Sequence, residues 1–246
     1  ASTPSSAPGP RGGRSYHDFS DGTLGSGPVI DGVEVTVDRE AVVVLARAPL
    51  AVLSSAVVGG GFAEARAVVN LHVPKDFELG ELDTRLGAFA GRRGIPAPWV
   101  GLFTSAWTEK AEVAEAEAHG IRAVAVVTVG LSNRIAAGVD RAAAWAPSTI
   151  NTVVVVDAAP EPAAMVNAVI TATEVKTALL AEAGVRCGDG LLASGTSTDA
   201  VVVAATANGR ACRFGGPVSE LGSVVARAVR EAMGRGIGRW VEDNNA

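Results

Sequence analysis

Two short segments hold most of the chemically able side chains in a chain otherwise dominated by Ala, Val and Gly. They are Asn167-Ala-Val-Ile-Thr-Ala-Thr-Glu-Val-Lys-Thr177 and Ser194-Gly-Thr-Ser-Thr-Asp-Ala200. In the second, five hydroxyl or carboxylate side chains surround a glycine just before an apolar run, so oxygens and backbone N–H groups can converge on one point. The same composition also suits a Ser/Thr turn that Asp199 caps locally. A phosphate cradle is a third reading, weakened because the G-x-x-x-x-G-K-[ST] order is missing.

The first segment needs a helix to present it. Pro160 and Pro162 suit a first helical turn and Gly184 suits a C-terminal stop, which predicts a helix over about 161–183. On a wheel turning about 100° per residue, Asn167, Thr171 and Glu174 form one stripe, while Lys176 lies roughly 200° from Glu174. Only one of these two charges can line a given pocket. The surrounding Ala, Val, Ile and Leu mark a packed helix, and a polar stripe on a packed helix must meet partners or a wet cleft. We expect this helix and the 194–199 loop to meet at one cleft.

The remaining elements follow from β-branched runs and turn residues. Val33 to Val37 and Ala41 to Ala46 predict a hairpin about Asp38-Arg39. A strand continues from Leu50 through Ser54-Ser55 into Gly59-Gly60-Gly61, which is either a plain turn or a loop that a ligand approaches closely. Arg66 to Val73 reads as a strand leaving through a polar cluster that includes Asn70 and His72, the latter as a hydrogen-bonding group rather than a metal ligand. A helix is expected over Leu79 to Gly91 and a buried strand over Trp99 to Thr104. Residues 111–118 fit a helix or, slightly better, a hairpin turning at His119-Gly120. A polar loop carries Ser132 and Asn133, and a strand follows from Asn151 to Asp157. Asn208-Gly209 predicts a hairpin of Ala200 to Ala205 with Arg210 to Phe214. An amphipathic helix over Val218 to Met233 and a loose tail from Gly234 complete the reading. The fold class expected is α+β, a single domain of mostly antiparallel or mixed sheets covered by helices, over residues 29–246. Residues 1–28, rich in Ser, Pro and Gly and including His17, read as a flexible leader.

Charge and composition narrow the function. A formal net charge of −5, with no basic cluster interleaved with aromatics, gives no footprint for nucleic acid or an anionic membrane. The expected partner is a small molecule, and a homo-oligomer is compatible. Cys187 and Cys212 are too few for a disulfide framework or a zinc pattern, although one bridge between them is allowed, and a cytoplasmic location fits. No apolar run reads as a membrane span, and the first residues lack the charged-then-apolar order of a signal peptide.

Six segments occur together and in order: Leu53-Ser-Ser-Ala-Val-Val-Gly-Gly-Gly61, Val69-Asn70, Val127-Thr-Val-Gly130, Asn151-Thr152, Asn167 to Thr177, and Gly195-Thr-Ser-Thr-Asp199. Their combination resembles the adenosylcobinamide amidohydrolase family across about residues 40 to 230. It departs from the family's pattern at Gly59, where that family has Asn before the glycine pair. The resemblance implies hydrolysis of the amide joining a corrinoid propionyl side chain to aminopropanol, giving adenosylcobyric acid. The substrate is then a cobalt corrinoid, and because three histidines and two cysteines at unrelated spacings make no zinc or iron site, no cofactor or metal of the protein's own is expected. The D-x-H-x-x-G pattern that offers a histidine to cobalt is missing, which implies recognition through the ring periphery and its amides. The groups expected to bind there are Ser54, Ser55, Gly60, Gly61, Asn70, His72, Asn133, Asn151, Asn167, Thr171, Thr173, Gly195 and Thr198.

Amide hydrolysis needs a nucleophile, a proton acceptor and donor, and oxyanion stabilisation. Glu174 or Asp199 is the expected general base, with Glu174 preferred because a mid-helix carboxylate among small apolar neighbours needs a site or an ion pair. Thr196, Thr198, Asn167 or local N–H groups suit the oxyanion, and Lys176 could orient a carboxylate. Ser54, Ser55 and Thr196 are rival direct nucleophiles, although there is no G-x-S-x-G elbow and only His72 could serve one. A corrinoid-binding or trafficking module without turnover is the alternative.

Overall fold

The structure, a computed structural model, describes residues 28–77, 80–140 and 148–245. The expected leader and His17 therefore lie outside the described residues, apart from Pro28. In chain order the strands are β1 (Pro28–Ile30), β2 (Val33–Val37), β3 (Ala41–Ser54), β4 (Gly61–His72), β5 (Trp99–Thr104), β6 (Glu112–Ala118), β7 (Ile121–Val129), β8 (Arg134–Ile135), β9 (Ile150–Val156), β10 (Ala159–Pro160), β11 (Gly195–Thr196), β12 (Ala200–Ala205) and β13 (Ala211–Cys212). The helices are α1 (Leu82–Arg93), α2 (Pro162–Glu182) and α3 (Glu220–Asn245).

β3 organises the architecture. β4 runs antiparallel along one edge of it, while the other edge is shared: β2 pairs with its first half and β12 with Ala51 to Ser54. The register of the β3–β4 pair shifts between Leu45 and Leu50, an irregularity of the kind that bends a strand. Beyond β12 come β9 in parallel, then β7 and β6 in antiparallel order, and β5 lies parallel to β4. The fold is α+β with one mixed sheet of nine strands among the described residues.

Alternation along the central strands explains the layering. Val154 and Val156 of β9 and Val201 and Val203 of β12 pack with Ala164, Ala168 and Ala172 of α2 and Val225, Ala228 and Ala232 of α3. Their neighbours Val153, Val155, Val202 and Ala204 face the other way, against Val42, Val44, Val52, Val68 and Leu102 of the β3–β5 half. Val69, Leu71 and Phe103 then pack with Leu86 and Phe89 of α1. Two strand layers thus lie between helices, and strands buried on both faces read as continuous Val runs. Each fully buried Val contributes about 1.5–3 kcal/mol relative to exposure.

The hairpins at β2–β3 and β6–β7 form as expected, the second turning through positive φ at His119 and Gly120. α2 follows its signals too: Pro162 stands in its first turn and Gly184, at φ 66°, ends it. By length and composition α2 could cross a membrane, yet one side of it packs on the sheet and α3.

Two expectations are corrected. The Asn208-Gly209 turn does not join a hairpin, because both edges of β12 are already taken by β3 and β9; the returning segment pairs instead as β13 with β10, in parallel. Residues 234–245 are not a loose tail, since α3 continues to Asn245 with Met233 and Ile237 buried. Gly236 lets this helix sit close to β7, where a Cβ would come within 2.7 Å of Val129 Cγ2.

Candidate active site

α2 turns Lys176, not Glu174, towards the sheet. Lys176 is buried at 9% exposure, and its Nζ donates to Asp199 Oδ2 at 2.5 Å. Asp199 stands just before β12, which fixes it opposite the helix. The carboxylate accepts three further bonds, from Thr196 N–H to Oδ2 (3.0 Å), from Thr196 Oγ1 to Oδ1 (2.5 Å) and from Ile150 N–H to Oδ1 (3.0 Å). A carboxylate offers about four lone-pair sites, so Asp199 is fully occupied. The hydroxyl proton that this geometry can hand to Asp199 is that of Thr196.

Thr196 is held by β11, which pairs with β8 so that Thr196 opposes Arg134 and Gly195 opposes Ile135. Asn133, adjoining β8, donates from Nδ2 to Ser197 Oγ at 2.7 Å, and Thr177 of α2 donates to Ser194 O at 3.2 Å. Gly195 sits against the ion pair: a Cβ there would fall 2.3 Å from Asp199 Oδ2 and 2.6 Å from Lys176 Nζ. Helix α2 and the 194–199 loop therefore meet at one place, as the sequence predicts, with Lys176, Thr196, Asp199, Gly195 and Asn133 drawn together.

A buried polar chain supports the loop from between the strand layers. Asn70 Nδ2 donates to Thr128 Oγ1 (2.9 Å) and Asn151 Nδ2 donates to Asn70 Oδ1 (2.8 Å). Thr149 Oγ1 lies 3.3 Å from Asn151 Oδ1 and donates to Thr198 O at 2.7 Å. Thr198 Oγ1 donates to Ser148 O at 3.3 Å. Asn70 and Asn151, expected to face substrate, are 3% and 2% exposed and bond each other instead.

Other expected residues lie apart from this cluster. Glu174, Asn167 and Thr173 are exposed on the far side of α2, where Asn167 and Thr173 bond backbone carbonyls one turn back. This corrects the placement of Glu174 in the cleft: α2 is apolar on nearly every face, so which charge points inward is decided by packing against β12 and α3. Thr171 is buried and donates to Gly215 O at 3.0 Å. Ser54 and Ser55 accept from the N–H groups of Ala56 and Val201, which ties their hydroxyls to the β3–β12 seam. Gly60 makes a tight structural turn, since a Cβ there would meet Ala56 O at 2.3 Å, and Gly61 follows at φ 88°. His72 Nδ1 donates to Ala106 O at 3.0 Å, and its ring stacks on Trp107 at 5.1 Å.

Sequence reasoning missed the Ile150 N–H, Thr149 and Ser148, whose signal was their position directly before Asn151. It also missed a cavity of about 470 Å³ with Ser148 in its wall. Among the described residues no three His, Cys, Asp or Glu side chains gather to hold a metal ion. Cys187 and Cys212 are buried and unpaired.

Comparison with known proteins agrees with the resemblance noted in the sequence. Residues 27–245 match the family described as adenosylcobinamide amidohydrolase. The adenosylcobinamide amidohydrolase of Halobacterium salinarum is 34% identical over 188 residues, covering 71% of this chain and 74% of that protein. The one from Methanosarcina mazei is 31% identical over 167 residues, covering 66% and 72%. Among solved structures, the PH0078 protein from Pyrococcus horikoshii OT3 aligns with a TM-score of 0.47 at 15% identity, over 88% of this chain and 83% of that one. A Burkholderia sp. beta-aminopeptidase aligns with a TM-score of 0.45 at 13% identity, over 82% and 79%. The match across nearly all described residues, together with two relatives above 30% identity, means that the chain belongs to the adenosylcobinamide amidohydrolase family.

Proposed function

We propose that this protein hydrolyses the amide between a corrinoid propionyl side chain and aminopropanol, converting adenosylcobinamide to adenosylcobyric acid, with Thr196 as nucleophile. The observation that carries the reading is the Lys176–Asp199–Thr196 constellation, in which a carboxylate held by a buried ammonium accepts a hydroxyl proton. Ser54 and Ser55, the rival hydroxyls, accept the N–H groups of Ala56 and Val201 and are not bonded to Asp199.

In the first half-reaction Thr196 Oγ1 attacks the amide carbonyl as its proton passes to Asp199, giving a tetrahedral intermediate. Collapse breaks the C–N bond, and the proton leaves with the departing amine, so free aminopropanol is released and an ester remains on Thr196. In the second half a water attacks that ester, Asp199 takes its proton, and the proton returns to Thr196 Oγ1 as the corrinoid acid departs. Lys176 balances the carboxylate throughout and fixes its orientation. Asn133 and Ser197, beside Thr196 at the open side of the loop, are suited to hold the amide. The cobalt belongs to the substrate, and the steps draw on no metal or cofactor of the protein's own. The protein is proposed to act on this small molecule in the cytoplasm.

The test is incubation of purified protein with adenosylcobinamide, with mass detection of aminopropanol and the corrinoid acid. Equimolar release of both supports the reading, and binding without release overturns it.

A further inference from the structure

The cavity beside the site has a composition the proposed mechanism does not use. Trp107 is 59% exposed, with one ring face covered by His72, and Trp240 stands in the same wall with its indole under the Arg134 guanidinium. Gly130 and Gly236 contribute no side chain to the lining, while Ser132 and Ser148 add hydroxyls, the first donating to the second at 2.6 Å. At Gly130 a Cβ would lie 3.2 Å from Ala106 Cβ and 3.3 Å from Ser148 Oγ, so even an alanine there would crowd the wall.

Both ends of this wall continue into the candidate active site. Ser148 is two residues from Ile150, whose N–H binds Asp199, a spacing of about 7 Å along an extended chain. Ser132 adjoins Asn133, which holds Ser197. A ligand seated in the cavity therefore borders the residues that hold Asp199 and Ser197.

Charge decides the kind of ligand. Lys110 is bound to Asp243 at 2.7 Å and Arg239 is paired with Glu112, leaving Lys75 as the lining cation without a carboxylate partner among the described residues. Two of the three lining cations are thus already neutralised, while a flat uncharged heteroaromatic gains indole stacking and hydroxyl contacts.

We propose that the cavity binds the purine of an uncharged nucleoside and, on the reading given above, holds the adenosyl group of the corrinoid while its amide lies at Thr196. Trp107 is then a specificity-determining residue that lowers KM and leaves the chemical step alone.

The experiment has two independent arms. In the first, 5′-deoxyadenosine is titrated against the intact protein and Trp107→Ala, following tryptophan fluorescence, with melting curves for both. Saturable quenching that weakens about tenfold or more in Trp107→Ala at an unchanged melting temperature supports the site. No saturable binding to the parent, or equal binding to both proteins, overturns it. In the second arm, hydrolysis of adenosylcobinamide by Trp107→Ala should show a raised KM with kcat nearly unchanged; a fall in kcat at constant KM contradicts the inference. Should the parent protein fail to hydrolyse adenosylcobinamide, the proposed reaction falls, while the fluorescence titration still decides the cavity.

Discussion

Lys176 Nζ lies 2.5 Å from Asp199 Oδ2, with both side chains about one-tenth exposed, so the helix and the loop are joined by a buried ion pair at the point where Thr196 points its hydroxyl. Such a pair gives little net stability, because desolvation offsets most of its attraction. Removing one partner is different, since it strands a charge.

Asp199→Asn therefore leaves the Lys176 ammonium without a carboxylate in a nearly dry site. Thermal or urea unfolding should report a loss of about 3–5 kcal/mol, together with a rate of amide hydrolysis lower by about 100-fold or more. Lys176→Met, which removes the buried ammonium, should lose a similar amount of rate. Parental turnover in either variant would separate the pair from the chemistry.

Glu174→Gln changes a residue on the exposed side of α2. Turnover within about twofold of the parent and a stability change within about 0.5 kcal/mol are expected, as for other surface positions. A collapse in kcat would return the base to Glu174.

Gly195→Ala tests the close approach of backbone to ion pair. The added methyl falls on Asp199 Oδ2 and Lys176 Nζ, both ends of side chains that can shift, so the fold should survive while the pair is pushed apart. Folded protein with a strongly reduced kcat is the expected result, read from circular dichroism and product release together.

Away from the site, Asp38 supplies a pH dependence. Burial pushes its carboxyl up, but the hydrogen bonds from Arg93 and from the Ala41 and Glu40 N–H groups outweigh that, and the net shift is downward. A carboxyl held below its unfolded value, about 3.9, adds stability above that pH and loses it as pH falls through the folded value. The stability difference between parent and Asp38→Asn should thus be present from about pH 5 to 7 and vanish at the acid end. A difference that grows on acidification would reverse the sign of this argument.

Much of the fold was legible because the signals were local. The two hairpins and the start and stop of α2 rest on turn residues and prolines that act over a few positions. What failed was set by distant partners. The Asn208-Gly209 signal could not reveal that β3 and β9, far off in sequence, fill both edges of β12. Gly234, Gly236 and Gly238 looked like a loosened tail, yet Gly236 is where α3 nears β7. At the site, the helical wheel separated Glu174 from Lys176 correctly. With Ala and Val on nearly every face of α2, no periodicity marked the inward side. Asn70 and Asn151 were recognisable as polar residues in apolar strands, but their mutual pairing joins positions 81 residues apart in sequence.

The central claim is that the Thr196 hydroxyl, activated by Asp199, cuts the corrinoid amide. The most direct measurement compares aminopropanol release from adenosylcobinamide by the parent, Thr196→Ser and Thr196→Val, each with its melting temperature. The account predicts measurable release by Thr196→Ser and a loss of about 100-fold or more in Thr196→Val at a retained fold. Release by Thr196→Val at close to the parental rate would contradict it.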